Sequence, residues 1–226
     1  MSGQVYLLDI EGTIGDISFV RQVLFPYAEA RFETYLQAHW QEAPIQKLIA
    51  ETGESLTDAK AAADLFEQWS KADLKRTPLK DLQGLIWRAG YESGQLRAHL
   101  YPDAIAAMRL WAETSAGIWI YSSGSIAAQK LYFTYSDFGD VTPLLKGYFD
   151  TTSGPKTDTQ SFTSIASQIG VWPTRIKFLT DMPGEAHAAS QAGCAIALID
   201  RRQPTDWQGR IDGLPAYGSL RPLLSG

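Results

Sequence analysis

The sequence predicts a doubly wound parallel α/β sheet with an all-helical segment inserted into it. Two observations carry this expectation. Four short apolar runs each stop abruptly at a polar residue: Val5–Leu8 at Asp9, Gly117–Tyr121 at Ser122-Ser123-Gly124, Ile176–Thr180 at Asp181, and Ala195–Ile199 at Asp200. Each is too short for a helix and rich in branched or aromatic residues, as befits a strand covered on both faces. Helical patterns alternate with the later strands, which argues for parallel pairing.

The stretch 15–100, between the first and second strands, breaks the alternation and reads as helices throughout, over about 19–40, 45–51, 58–73 and 79–93. In the last of these Leu79, Leu82, Ile86 and Ala89 recur at helical spacing, and Pro78 stands where a helix can start. Gly53, Gly90 and Gly94 are expected to mark helix ends. After this segment, 101–111 leads into the second strand with Pro102 in its first turn. A short helix over 126–133 follows the second strand. The pattern over 157–169, with Thr157 or Asp158 as N-cap, precedes the third strand, and 183–192 joins the third to the fourth. The expected division is an α/β core of residues 1–14 and 101–226 and a helical domain of residues 15–100 placed over the carboxyl edge of the sheet.

Composition excludes several classes. With 45% apolar and 20% charged residues among 226, the chain has an ordinary globular composition and enough length to fold without disulfides. Twenty Lys and Arg against 25 Asp and Glu give a net charge of −5 and no dense basic run, which argues against nucleic acid as a partner. Arg201-Arg202 is the one Arg pair, adequately explained as a solvated loop. Met1-Ser2-Gly3-Gln4 carries no basic residue and the apolar run from Val5 stops at Asp9, so neither a signal peptide nor a membrane span is expected. The single cysteine, Cys194, cannot form an internal disulfide and sits in an apolar stretch, as a small buried hydrophobe would. His39, His99 and His187 lack ligand spacing and are assigned no metal.

In open α/β sheets ligands bind outside the carboxyl ends of the strands. Asp9, Glu11, Ser122, Ser123 and Asp181 should therefore meet around one pocket. Any one of them is explained by turn formation at a strand end; the coincidence over three strand ends is harder to explain that way. Crowded carboxylates call for a cation, and an all-oxygen set suits Mg²⁺. The Ser122-Ser123-Gly124-Ser125 turn opens a helix, where backbone N–H groups can hold an anion. Lys156, after Ser153-Gly154-Pro155, is placed to reach the same anion.

These residues resemble the four motifs of the haloacid dehalogenase superfamily of phosphotransferases: Asp9 in Leu7-Leu8-Asp9-Ile10-Glu11-Gly12-Thr13, then Ser122, Lys156 and Asp181. Glu11 stands where that superfamily usually has Asp, and this is the habit of its enolase-phosphatase (acireductone synthase) branch. The likeness extends to Leu24-Phe25-Pro26-Tyr27, to LKDLQGLIWR from Leu79 to Arg88, and to Tyr121-Ser122-Ser123-Gly124-Ser125 with Ala128-Gln129-Lys130-Leu131. It also covers Gly147-Tyr148-Phe149-Asp150-Thr151 and Phe178-Leu179-Thr180-Asp181 with Glu185. Ile14-Gly15-Asp16 and Met182-Pro183-Gly184 depart from the family pattern.

The resemblance implies a two-step reaction of methionine salvage on 2,3-diketo-5-methylthiopentyl-1-phosphate, enolisation followed by phosphate hydrolysis, giving acireductone. Asp9 would be the nucleophile and Glu11 the general acid and base. Ser122, Ser123 and Lys156 would bind the phosphate, and Asp9, Glu11 and Asp181 would hold Mg²⁺. The inserted helices would form a cap, where Trp87 or Tyr91 could face the substrate. The expectation is a cytoplasmic monomer whose partner is the small phosphorylated diketone, with no nucleic acid and no membrane. The alternative is a phosphatase of another small phosphomonoester without the enolase step. A phosphate-storing receiver module is disfavoured by the large helical insertion, and a dehalogenase by Glu11.

Overall fold

Val5, Leu7 and Leu8 are wholly buried because β1 (Val5–Leu8) runs through the interior of a parallel sheet. The computed structural model describes residues 3–74 and 76–224; Met1 and Ser2, part of the amino-terminal stretch read above for a leader, lie outside the described residues. The chain divides into two compact units, Met1–Ile17 with Ala98–Gly226, and Ser18–Arg97. No helix among the described residues is long and apolar enough to cross a membrane.

The first unit holds β1, β2 (Gly117–Tyr121), β3 (Gly147–Phe149), β4 (Ile176–Thr180), β5 (Ala195–Ile199), β6 (Gln208–Ile211) and β7 (Leu214–Tyr217). They form one sheet in the order β3-β2-β1-β4-β5-β7-β6, parallel throughout except where β6 pairs with β7. Leu8 is level with Ile120 of β2 and with Leu179 of β4, so Asp9, Ser122 and Asp181 leave the sheet at one edge. On one face, Val5, Leu7, Tyr121 and Phe178 pack with Phe162 and Ile165 of the helix Thr159–Ile169 and with Ala186 and Ala189 of the helix Pro183–Gln191. Phe162 meets Phe178 edge to face at 4.9 Å, a geometry aromatic quadrupoles favour.

Four strands match the apolar runs, and three lie outside them. β3 has three residues, too few to show a period. β6 and β7 join through Asp212-Gly213, both at positive φ, a turn suited to a hairpin. β6 is polar and largely exposed, hence without an apolar run. Asp158, not Thr157, caps Thr159–Ile169, its carboxylate accepting from the Gln160 amide at 2.9 Å.

The second unit is helical, and its core comprises Phe32, Leu36, Ile45, Leu48, Phe66, Leu82 and Ile86 with their neighbours. The single helix expected over 19–40 is broken. A wide π turn, Val20–Leu24, joins Ile17–Phe19 to Phe25–Glu29, and a separate helix runs over Phe32–His39. The Phe25 amide reaches back to the Val20 carbonyl, and Pro26, next along, has no N–H to continue the ladder. Gly90 ends nothing: it lies inside the helix Thr77–Glu92, buried against the Tyr27 ring. Gly53 and Gly94 do sit in left-handed turns just beyond helices. The Trp87 indole donates to the Leu24 carbonyl at 2.8 Å, and Tyr91 is buried.

Candidate active site

β1 ends in a tight loop built on one carbonyl. Ile10 O accepts from the amides of Thr13, Ile14 and Gly15, while the Gly12 amide donates to Gly15 O. Gly12 takes φ +76°, and a Cβ there would run into the Asp181 carboxylate, so only glycine suits the turn. The loop turns Thr13, fully buried, back on the acid: its hydroxyl donates to Asp9 Oδ2 at 3.0 Å. Glu11 lies on the same loop, bridged to Gly15.

Lys156 reaches Asp9 from the loop after β3. The Tyr121 hydroxyl donates to Gly154 O at 2.8 Å and the Ser161 hydroxyl to Pro155 O at 2.8 Å, which anchor the approach on both sides. Lys156 Nζ then sits 2.5 Å from Asp9 Oδ1 and 3.1 Å from Glu185 Oε2, with only 13% of the lysine side chain exposed. Glu185, in the first turn of Pro183–Gln191, also accepts from the Thr180 hydroxyl at 2.7 Å.

Two acids thus contact one lysine, and the charge of a third, Asp181, is felt nearby. Burial alone would lower the Lys156 pKa, but Asp9 and Glu185 outweigh it and hold the ammonium above its ordinary range. Asp181 is pushed up to about 7 by burial and then by the charges of Asp9 and Glu185, which Lys156 only partly offsets. Glu185 is raised by burial, against the pull of Lys156. The site carries more negative charge than it can stabilise alone, and oxygen ligands of this kind fit a small hard cation. Among the described residues no three His, Cys, Asp or Glu side chains already stand grouped tightly enough to hold an ion. Lys156 occupies one oxygen of Asp9 instead.

Ser122 stands at the same edge just after β2, buried, its backbone amide donating to Phe149 O and its hydroxyl accepting from the Gly124 amide at 3.3 Å. Ser123 is exposed at the tip of the turn. Asp150 ties this turn to the loop leading to Lys156, accepting from the Ile126 amide at 3.2 Å and the Thr152 amide at 2.9 Å. Asp200, ending β5, belongs elsewhere: it closes its own turn on Arg202 and Gln203. The Asp16 amide donates to His99 Nδ1 at 3.2 Å. Cys194 is buried and its thiol pushed up to about 12, as for a packing residue.

One expectation fails here. Arg202 is solvated, its side chain 88% exposed, but Arg201 is not: only 15% of it is accessible, and it pairs with Asp103 at 2.8 Å. Glu185, quoted above only as part of a sequence block, proves to be a direct partner of Lys156. Its spacing, four residues after Asp181 on a helix that starts at the strand end, was the available signal.

No protein-family model matches the chain. It is 49% identical, over 87% of its own length and 89% of the relative's, to a protein of Alcanivorax borkumensis named Enolase-phosphatase E1. The chain belongs to the enolase-phosphatase family. A similar solved structure is the UTR4 protein of Saccharomyces cerevisiae, 33% identical, with a TM-score of 0.82 over 97% of this chain and 99% of that one. A Bacillus subtilis protein described as a HAD-hydrolase bound to magnesium matches at a TM-score of 0.58 and 15% identity, over 100% of this chain and 98% of that one. At that identity the match speaks for the fold alone, and the fold of this enolase-phosphatase family member is that of the haloacid dehalogenase superfamily.

Proposed function

We propose that the chain is an acireductone synthase of methionine salvage, a cytoplasmic monomer that enolises 2,3-diketo-5-methylthiopentyl-1-phosphate and then hydrolyses its phosphate. The observation that carries the phosphatase half is Asp9: buried at the sheet edge, with Thr13 on one oxygen and Lys156 on the other. The enolase half rests on family membership and on Glu11.

In the first step a proton passes from the carbon bearing the phosphate to the neighbouring carbonyl oxygen, which turns the ketone into its enol. In the second, a carboxylate oxygen of Asp9 attacks phosphorus, the bond from phosphorus to the substrate oxygen breaks, and Glu11 protonates the departing enol oxygen. Glu11 then takes a proton from water as it attacks the aspartyl-phosphate, releasing phosphate and restoring Asp9. Lys156, held between Asp9 and Glu185, shifts its charge onto the phosphoryl oxygens, and the Ser122 hydroxyl and the Ser123 amide hold them in place. Mg²⁺, held by Asp9, Glu11 and Asp181, would neutralise charge on the phosphoryl group when bound. The helical unit is assigned the role of a cap that excludes water and selects the substrate.

Asp9→Asn should abolish phosphate release from the phosphorylated diketone and leave the fold intact by circular dichroism. Retained release would remove Asp9 from the nucleophile's role.

A further inference from the structure

We propose that Arg201, fastened to Asp103, is a positioning residue that holds the nucleophile loop in its reactive shape. This rests on the reading of Asp9 as nucleophile. Arg201 comes from the loop after β5, yet its Nε and Nη2 both donate to the carbonyl of Thr13, at 3.0 and 2.5 Å. Its Nη1 spans both oxygens of Asp103, at 3.0 and 2.8 Å. Asp103 is itself fixed, accepting from the Leu220 amide at 2.6 Å, and the guanidinium lies 4.0 Å from the centre of the Tyr101 ring. The Tyr101 amide in turn donates to Ile14 O at 2.9 Å, so two consecutive carbonyls of the loop are held from the same side.

The chemistry explains why arginine stands there. Thr13 has two jobs: its hydroxyl orients Asp9, and its carbonyl must find a donor although the residue is wholly buried. A planar fork satisfies that carbonyl and Asp103 together; an ammonium, as a point charge, cannot span both in one geometry. A shift of Thr13 would release one Asp9 oxygen and change the angle at which the other meets phosphorus. Misplacement on this scale slows chemistry without weakening substrate binding.

The test is kcat and KM, measured separately for Arg201→Lys, Arg201→Met and Asp103→Asn on the phosphorylated diketone, with melting curves to choose a temperature at which each is folded. Arg201→Lys and Arg201→Met should lose about 100-fold in kcat while KM stays within about threefold, and Asp103→Asn should lose about tenfold. Arg202→Met, on the exposed neighbour, should match the parent. Folded Arg201→Lys and Asp103→Asn with kcat within about twofold of the parent would overturn the proposal. So would a loss confined to KM, or unfolding of all three variants, which would assign the clasp to stability instead. Asp9→Asn run alongside separates the two readings: if it still releases phosphate, the nucleophile assignment fails, whatever Arg201 does.

Discussion

Asp9 is one of two acids paired with a single ammonium, with Asp181 close enough to feel their charge, and its neighbours show what that crowding costs. Asp181 is raised to about 7 by burial and by the charges of Asp9 and Glu185. Its folded pKa lies above the ordinary carboxylate value, so its contribution to stability is complete in acid and is lost as pH rises through about 7. A cation bound by the proposed ligands must displace that proton. Calorimetric titration of Mg²⁺ at pH 6 in two buffers of different ionisation enthalpy should therefore detect proton release that fades by pH 8.5 and disappears in Asp181→Asn. Proton release unchanged in that variant would exclude Asp181 as its source. Gly12 gives a second test at this scale. Gly12→Ala should cost about 1–2 kcal/mol from its left-handed backbone alone. The new methyl also meets the Asp181 carboxylate, so kcat should fall with the melting temperature.

The elements differ in how openly the sequence declares them, and the reason is physical. β1, β2, β4 and β5 are largely buried on both faces, so each is an apolar run, broken only by Lys177 in β4, that a polar residue ends. β6 and β7 follow another rule: a polar outer strand paired through Asp212-Gly213, flanked by Ile211 and Leu214, shows only in its turn. In the helical unit, periodicity located the helices, but Pro26 and the π turn before it divide what periodicity joins. The site divides in the same way. Asp9, Ser122, Lys156 and Asp181 are legible because strand ends converge by topology. Arg201 was not, since an arginine in a loop looks solvated until the fold brings Asp103 and the Thr13 carbonyl to it. Gly90 is a case where propensity and packing disagree. Alanine inside a helix normally gains about 1 kcal/mol over glycine. Here the methyl would sit 2.7 Å from a Tyr27 ring that is stacked under Arg31 and bonded to Gln95. Gly90→Ala should therefore destabilise by about 1–3 kcal/mol, read by urea unfolding, and a stabilised variant would show that the ring yields.

For the molecule as a whole, a net charge of −5 does nothing to draw in the phosphorylated substrate of the proposed reaction; on that proposal attraction is local, from Lys156, the Ser122 turn and a bound cation. The α/β unit carries every residue assigned to chemistry, and the helical unit has a core of its own. Family membership joins two reactions in this one chain, and that pairing is the central claim. It is tested most directly by supplying the protein and Mg²⁺ with the phosphorylated diketone and recording acireductone absorbance and free phosphate in the same cuvette. The account predicts that both appear, one acireductone for each phosphate. Phosphate released from this substrate or from simple phosphomonoesters with no acireductone formed would contradict it and leave a phosphatase without the enolase step.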